Sequence, residues 1–217
     1  METTSCSNCL KESTLCVCSE IRPISTQLHV LILQHPQEPD KDLGSARLAH
    51  LALPNSTLKI GLSWRNLAHA LGREADPKRW AVLYLGSGIR GQTRRNVVLV
   101  DKGGKPLEDQ DSIQNNLQGI VVLDGTWSQA KTLWWRNAWL LKLRRAILIP
   151  REPSLYRELR REPRRECVST LESIGLSLAG LGEKQPVAEE LKRLFGQLLD
   201  RQRSNLARRR STKVSAS

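Results

Sequence analysis

The sequence predicts an α/β protein with a largely parallel sheet and helices on both of its faces. From residue 28 onward, segments with strand character alternate with segments of helical periodicity, which is typical of parallel sheets. The strand segments are short and almost continuously apolar, as expected of strands that are buried on both faces. The 217 residues are enough for one such domain and a small appendage.

Each predicted element follows from a local pattern. Short apolar runs predict strands at 28–34, 80–88, 96–101, 119–125 and 145–150. Helical periodicity predicts helices at 43–53, 63–72, 127–143, 167–182 and 186–210. Within 63–72, Ser63 is the expected N-cap and Gly72 the expected end.

The helix predicted at 127–143 is rich in tryptophan. Its spacing places Trp127, Trp134, Ala138 and Leu141 on one face, which we expect to be buried. Trp127 fits either core packing or stacking on a ligand base. Trp135 and Trp139 lie on another face and fit either the core or an RNA contact.

The charge of the chain is strongly positive, at +12 from 34 Lys and Arg against 22 acids. Residues 136–165 and 201–213 are the richest in basic side chains. This clustering favours a nucleic-acid partner, although a solvated surface or a disordered basic tail would give the same pattern. We expect residues 206–217 to form such a tail.

The sequence also bears on the compartment. There is no apolar run of membrane-spanning length, and the N-terminus METTSCSNCLKE lacks the features of a signal peptide. We therefore expect a soluble, cytoplasmic protein.

Four of the five cysteines lie close together near the N-terminus, in the pattern C-x2-C-x6-C-x-C. Two close pairs separated by a short loop are typical of a tetrahedral Zn²⁺ site with four thiolates. Disulfides fit a reducing compartment less well. Because such a site leaves no open position for water, we expect the metal to be structural. The predicted ligands are Cys6, Cys9, Cys16 and Cys18.

Three predicted strands end in loops that suit a ligand site, with the sequences YLGSG, LDGTW and IPREPS. In open α/β sheets, ligands bind beyond the carboxyl ends of the strands. Neither a G-x-G-x-x-G nor a G-x-x-x-x-G-K-[ST] motif is present, so we do not expect a dinucleotide or P-loop nucleotide site.

The most specific stretch is Asp124-Gly125-Thr126-Trp127, which matches a D-x-T-W signature. Here the chain resembles the DTW-domain family, the tRNA-uridine aminocarboxypropyltransferases. Four further features occur in the family's order: the cysteine cluster, His35-Pro36, the GSARLAHLALPNS segment, and SLYRELRREP before the S-T-L-E block at Ser169. The resemblance covers residues 6 to about 200.

The resemblance implies a specific fold and reaction. Family members look like relatives of the SPOUT methyltransferases, with a trefoil knot that binds S-adenosylmethionine. They transfer its 3-amino-3-carboxypropyl group to N3 of a tRNA uridine, and 5′-methylthioadenosine leaves. The implied domains are a zinc knuckle at 1–25 and a catalytic domain at 26–205, followed by the tail.

The resemblance and the positions of the loops together suggest roles for individual residues. Asp124 is the candidate catalytic residue, either as the base for the uracil N3 proton or by orienting the substrate. The candidate S-adenosylmethionine contacts are Tyr84, Leu85, Gly86, Ser87, Leu123, Gly125, Thr126, Trp127, Pro150, Ser169, Thr170 and Glu172. The candidate RNA contacts are His35, Arg47, Arg157, Arg160 and Arg161.

Structural roles fit several of these residues equally well. Asp124 is placed to cap the helix that begins near Trp127. Ser169 and Glu172 have the spacing of a capping box. His35 fits a structural turn, and the arginines at 157–161 fit ion pairs on a solvated helix.

Two other functions fit the same sequence. The first is an RNA methyltransferase that uses the same cofactor, and the second is a zinc-containing RNA-binding protein without catalysis.

Overall fold

The computed structural model describes residues 5–39, 41–83, 95–156, 168–184 and 186–214. These residues form one six-stranded sheet with the order β2-β1-β5-β3-β6-β4. All neighbouring strands are parallel except β4 and β6, which are antiparallel. The prediction of an α/β protein with a largely parallel sheet is confirmed. The strands are β1 (His29–Gln34), β2 (Ser56–Ile60), β3 (Trp80–Leu83), β4 (Val97–Val100), β5 (Gly119–Asp124) and β6 (Arg144–Leu148).

The helices lie between these strands and after them. They are α1 (Ala46–Ala52), α2 (Leu67–Leu71), α3 (Gln110–Asn115), α4 (Trp127–Arg136), α5 (Thr170–Gly180) and α6 (Pro186–Val214). Short 3₁₀ helices occur at Ser13–Leu15, Cys18–Glu20, Pro77–Arg79 and Ala138–Lys142. In the described part of the chain, no helix combines the length and the apolar composition that a membrane crossing requires.

The sheet carries a hydrophobic core on each face. Alternate residues of a strand point to opposite faces, so Val30 and Ile32 of β1 pack in one core while Leu31 and Leu33 pack in the other. The first core also contains α1, α5, α6 and the N-terminal cysteine segment. The second contains α2 and the Ala138–Lys142 turn. Helices therefore cover both faces, as the sequence predicts.

The helix predicted at 127–143 is shorter than expected. α4 ends at Arg136, and the buried side chain of Asn137 replaces the helical hydrogen bonds at this point. Its amide donates to Leu133 O at 2.8 Å and to Leu62 O at 3.0 Å, and its Oδ1 accepts from Trp64 N at 2.8 Å. The chain then continues as a 3₁₀ helix.

This break changes the helical register after Arg136, so the predicted burial of Ala138 and Leu141 is wrong, whereas Trp134 packs against the second core as expected. Ala138 is exposed and Leu141 is 46% exposed, whereas Trp127 and Trp134 are half-buried. Ala130 and Leu133 fill the buried face of α4 instead, and the 3₁₀ helix buries Trp139 and Leu140.

Other boundaries also differ from the prediction. α2 begins after Asn66, whose side chain accepts from His69 N at 2.8 Å, and Ser63 is therefore not its cap. α6 continues to Val214, past the predicted end of this helix at residue 210, and so includes most of the residues that we expected to form a tail. β2 and α3 were not predicted, because β2 is only partly buried and α3 contains no buried residue.

Candidate active site

The carboxyl ends of β1 and β5 bring two buried polar side chains together. Gln34 and Asp124 end these neighbouring strands and are partners in the sheet register. Gln34 is 2% exposed and Asp124 is 6% exposed. Gln34 Nε2 donates to Asp124 Oδ2 at 2.8 Å. Buried carboxylates require such donors, and Gln34 satisfies one of the two carboxylate oxygens.

The other oxygen of Asp124 faces α5. The Thr170 hydroxyl donates to Asp124 Oδ1, and Thr170 is the first residue of α5. Asp124 therefore joins two elements that are far apart in the sequence. It does not cap α4, because Thr126 does so in a capping box: Gln129 N donates to Thr126 Oγ1 at 3.4 Å, and Thr126 N donates to Gln129 Oε1 at 2.6 Å.

The loop after Asp124 is tightly packed. A Cβ atom at Gly125 would lie 2.8 Å from Gln129 Cβ and 3.4 Å from His35 Cβ, so only glycine fits between them. Leu123 and Trp127, on either side of the loop, are half-buried. The D-x-T-W segment is therefore a fixed turn from β5 into α4, beside His35 of the first strand's loop.

Ser169 and Glu172 form the capping box that their spacing predicts. Glu172 N donates to Ser169 Oγ at 3.1 Å, and Ser169 N donates to Glu172 Oε2 at 2.9 Å. The buried Glu172 carboxylate also accepts from Ser154 Oγ at 2.7 Å and from Leu155 N at 2.9 Å. Glu172 thus ties the segment after β6 to the start of α5.

Two more hydrogen bonds join the loop after β1 to this region. Leu171 N donates to Ser45 Oγ at 3.2 Å, and Tyr156 OH donates to Leu43 O at 3.1 Å. Pro150 follows β6 on the same edge of the sheet and is half-buried. The loops after β1, β5 and β6 therefore meet around Asp124.

Lys11 reaches this edge from the N-terminal segment. It is buried, and its ammonium donates to Asp42 O at 2.7 Å and to Lys41 O at 3.2 Å, both in the loop after β1. Burial lowers the pKa of Lys11 to about 8, and the negative charges of Cys9, Asp42 and Asp124 oppose that shift. A buried cation thus contributes to the field at Asp124.

The four N-terminal cysteines converge on one point. Their Sγ atoms all lie within 4.8 Å of one another, and the Cys6 and Cys18 sulfurs are 3.7 Å apart. Zn–S bonds of about 2.3 Å in a tetrahedron place neighbouring sulfurs about 3.8 Å apart. The cysteines are free thiols. The cluster fits a metal ion held by Cys6, Cys9, Cys16 and Cys18.

Backbone N–H groups favour the thiolate form of one of these cysteines. The backbone N–H groups of Cys9 and Asn8 lower the pKa of Cys6 to about 6. Burial raises the pKa values of Cys9 and Cys18. Neutral thiols are poor ligands, so a bound cation would have to keep these buried sulfurs as thiolates.

The cysteine segment is docked onto the body of the protein. Arg47 Nε donates to Asn8 O at 2.6 Å, and Asn205 Nδ2 of α6 donates to Thr14 Oγ1 at 3.2 Å. Arg47, a predicted RNA contact, therefore anchors this segment. His35 Nδ1 accepts from Gln37 N at 3.3 Å, which is the contact expected of a turn residue.

Several predicted site residues lie outside the described part of the chain. These are Tyr84, Leu85, Gly86 and Ser87 after β3, and Arg157, Arg160 and Arg161 before α5. Their roles stay predictions.

Gln34 and Lys11 contribute to the site but were not among the residues predicted from the sequence. Gln34 had a detectable signal, because a polar residue at the end of an apolar strand is the same feature that identified Asp124. Lys11 had none, because its contacts depend on how the cysteine segment docks.

Known proteins match most of this chain. The DTW domain model matches residues 3–203. The chain is similar to tRNA-uridine aminocarboxypropyltransferase 2 of Macaca fascicularis and of Mus musculus, with 25% and 26% identity over 193 residues. These residues are 87% of this chain and 60% of each relative.

The Drosophila melanogaster protein of the same name is 27% identical over 190 residues, which are 87% of this chain and 70% of that relative. The chain thus spans about three fifths of the two mammalian relatives. No solved structure matches it. Since the family model covers most of its length, this protein belongs to the DTW-domain family.

Proposed function

We propose that this protein transfers the 3-amino-3-carboxypropyl group of S-adenosylmethionine to N3 of a tRNA uridine. The observation that carries the proposal is Asp124 of the D-x-T-W motif, buried where the loops after β1, β5 and β6 meet. The names of the three relatives support the same reaction.

In the proposed reaction, uracil N3 attacks the carbon of the aminocarboxypropyl group that is bonded to sulfur. The new N–C bond forms as the C–S bond breaks, and the electron pair of that bond stays on sulfur, which leaves as neutral 5′-methylthioadenosine. The N3 proton passes to Asp124. The alignment of nucleophile, carbon and sulfur decides which of the sulfonium's carbons reacts.

The surroundings of Asp124 suit a base. Gln34 Nε2 and the Thr170 hydroxyl each donate to one of its oxygens, which fixes the carboxylate. A carboxylate held in this way can act as the general base for the N3 proton. The ammonium of Lys11 interacts electrostatically with the Asp124 carboxylate.

We propose that the cofactor lies against the loops that meet at this edge. Its predicted contacts among the described residues are Leu123, Gly125, Thr126, Trp127, Pro150, Ser169 and Thr170. The hydrogen bonds of Glu172 to Ser154, Leu155 and Ser169 support a role in holding the loop rather than the methionine amine.

We also propose a fold for the catalytic domain and a metal for the cysteine cluster. We propose a SPOUT-like domain with a trefoil knot over 26–205, and the position of the late strand β5 between β1 and β3 is in keeping with a threaded chain. The spacing of the four sulfurs supports structural Zn²⁺ in the knuckle of residues 1–25. Free cysteines suit the cytoplasmic location that we propose.

The test uses S-adenosylmethionine labelled separately in its methyl carbon and in its aminocarboxypropyl carbons, with unmodified tRNA and purified protein. We expect label in RNA only from the aminocarboxypropyl carbons. Label from the methyl carbon would identify a methyltransferase. No label from either position, with tRNA still bound, would favour a non-catalytic RNA-binding protein.

A further inference from the structure

One tryptophan, Trp135, packs neither in the hydrophobic core nor in the proposed active site. Trp135, near the end of α4, is 79% exposed, and its ring makes no hydrogen bond or ring contact with any other described residue. Trp134 beside it is half-buried under the guanidinium of Arg145, 5.8 Å from the ring centroid. An exposed indole offers a large flat surface on which a base can stack.

A basic cavity lies next to this end of α4. Its volume is about 410 Å³, and its lining includes Lys78, Lys102, Lys142, Arg144 and Arg145. Asp101 is the acid of the lining, and its Oδ1 already accepts from Gly103 N at 2.8 Å and from Lys105 N at 2.9 Å. The cavity therefore has a marked excess of positive charge.

Three lysines of this cavity are available to a ligand. Lys78, Lys102 and Lys142 are exposed and form no ion pair with any described residue. Arg144 Nε is buried and has no hydrogen-bond acceptor among the described residues. The Arg144 side chain lines the same cavity and adds to its positive charge.

The helix end that carries the tryptophan is linked to the cavity through Arg145. Arg145 lines the cavity and also lies over Trp134, the residue next to Trp135. Lys142 ends the 3₁₀ helix that follows α4. We call Trp135 together with Lys78, Lys102, Lys142 and Arg144 the α4 surface.

We propose that the α4 surface binds the RNA substrate, with an unpaired base stacked on Trp135 and backbone phosphates at the neighbouring cations. The inference rests on the proposed function, because it takes tRNA as the polyanion. A second copy of this chain would place cations against cations if it docked here symmetrically, so the charge favours RNA.

The position of α4 connects this surface with Asp124. α4 starts at Trp127, directly after the D-x-T-W turn, and Trp135 lies about 12 Å further along the helix axis. An RNA loop that places one base at Asp124 can therefore extend along α4 to Trp135 and the basic cavity. Recognition of unpaired bases by stacking is typical of RNA-binding proteins.

The test measures the affinity for unmodified tRNA at several salt concentrations. Trp135→Ala should weaken binding about 5- to 150-fold, the range found when one stacking residue is removed, and Trp135→Phe should retain most of the affinity. The triple variant Lys78→Gln, Lys102→Gln and Lys142→Gln should flatten the dependence of log K on log salt by about 2.

A second triple variant serves as the matched control. Arg22→Gln, Lys59→Gln and Lys184→Gln remove the same charge outside the α4 surface, at side chains that form no ion pair with any described residue, and they should leave the slope closer to wild type. All variants should bind S-adenosylmethionine as the wild type does, which reports on folding independently of RNA.

The outcomes distinguish failure of the proposed RNA-binding surface from failure of the proposed function. Wild-type affinity and salt slope in both the Trp135→Ala and the α4-surface triple variant would overturn the surface, and so would equal effects of the two triple variants. Wild-type protein that binds tRNA through this surface but transfers no aminocarboxypropyl group would overturn the proposed function alone. Loss of binding to anionic vesicles rather than to tRNA would assign the surface to a membrane and overturn the inference.

Discussion

Asp124 is held from two directions, by Gln34 of the neighbouring strand and by Thr170 of α5. At the scale of single residues, this explains why its carboxylate can be buried at the end of a strand. The two donors fix its orientation without neutralising it. Glu172 is buried nearby, and its carboxylate accepts hydrogen bonds from the loop after β6 and from the α5 N-cap, so it joins these two segments.

Asn137 provides a test of stability at one residue. It is 1% exposed, and Asn137→Ala would remove the hydrogen-bond partner of Trp64 N, of Trp139 Nε1 and of two carbonyl groups. We expect the free energy of unfolding to fall by roughly 1–3 kcal/mol, measured by denaturant titration. Asn116→Ala, at an exposed helix end, should change it by less than about 0.5 kcal/mol; equal effects would contradict this role of Asn137.

The lowered pKa of His29 predicts how the stability of the protein depends on pH. Burial lowers its pKa below the ordinary value of 6.5, although the hydrogen bond to Asn55 opposes the shift. Below pH 6.5, His29 is therefore protonated more readily in the unfolded chain than in the folded protein. Proton binding then favours the unfolded state, and stability falls as the pH falls. Unfolding measured between pH 5 and 8 should show a smaller loss in His29→Gln than in wild type. His50, whose pKa burial also lowers, contributes in the same direction.

At the scale of elements, the cysteine knuckle has little core of its own and depends on its docking. Leu15 and Val17 are buried in the core that contains α6, and Lys11 and Arg47 supply the polar contacts. Lys11 links the knuckle to the loop after β1. Loss of the metal should therefore disturb the edge of the sheet where Asp124 lies.

The metal prediction is one zinc ion per chain. Cys9→Ser should lose the zinc and lower the melting temperature, because a ligand is removed and the segment no longer folds around the ion. Metal analysis and thermal unfolding check both effects. Cys167→Ser should keep the zinc, since four thiolates already complete the tetrahedron. A stable, metal-free wild-type protein would contradict the site.

The end of α4 could not be predicted from the periodicity of the sequence. Trp127 to Leu143 has helical spacing, but Asn137 binds Leu62 and Trp64 of a distant loop and ends the helix. That contact depends on the tertiary fold. The capping box of α5 was predictable because Ser169 and Glu172 are three residues apart, and local spacing alone determines it.

At the scale of the whole molecule, five of the six strands could be predicted because they are short apolar runs. β2 lies at the edge of the sheet and is half-buried, so its sequence carries no comparable signal. The D-x-T-W and S-T-L-E motifs could be assigned to one site from their resemblance to a family. The pairing of Gln34 with Asp124 could not, because it depends on the register of β1 against β5.

The distribution of charge over the molecule separates two kinds of site. In the proposed function, Asp124 and the loops around it supply the chemistry at one edge of the sheet, and the proposed role of the α4 surface is affinity for a polyanion. The net charge of +12 favours association with RNA in general. Specific binding would then depend on Trp135 and on the placement of the target base.

The most direct test of the central claim is the transfer rate of Asp124→Ala with unmodified tRNA, measured beside its affinity for S-adenosylmethionine. Loss of a general base should lower the rate about 10²- to 10⁴-fold, while binding of S-adenosylmethionine stays close to wild type. Full transfer activity in this variant would remove Asp124 from the reaction and contradict the account.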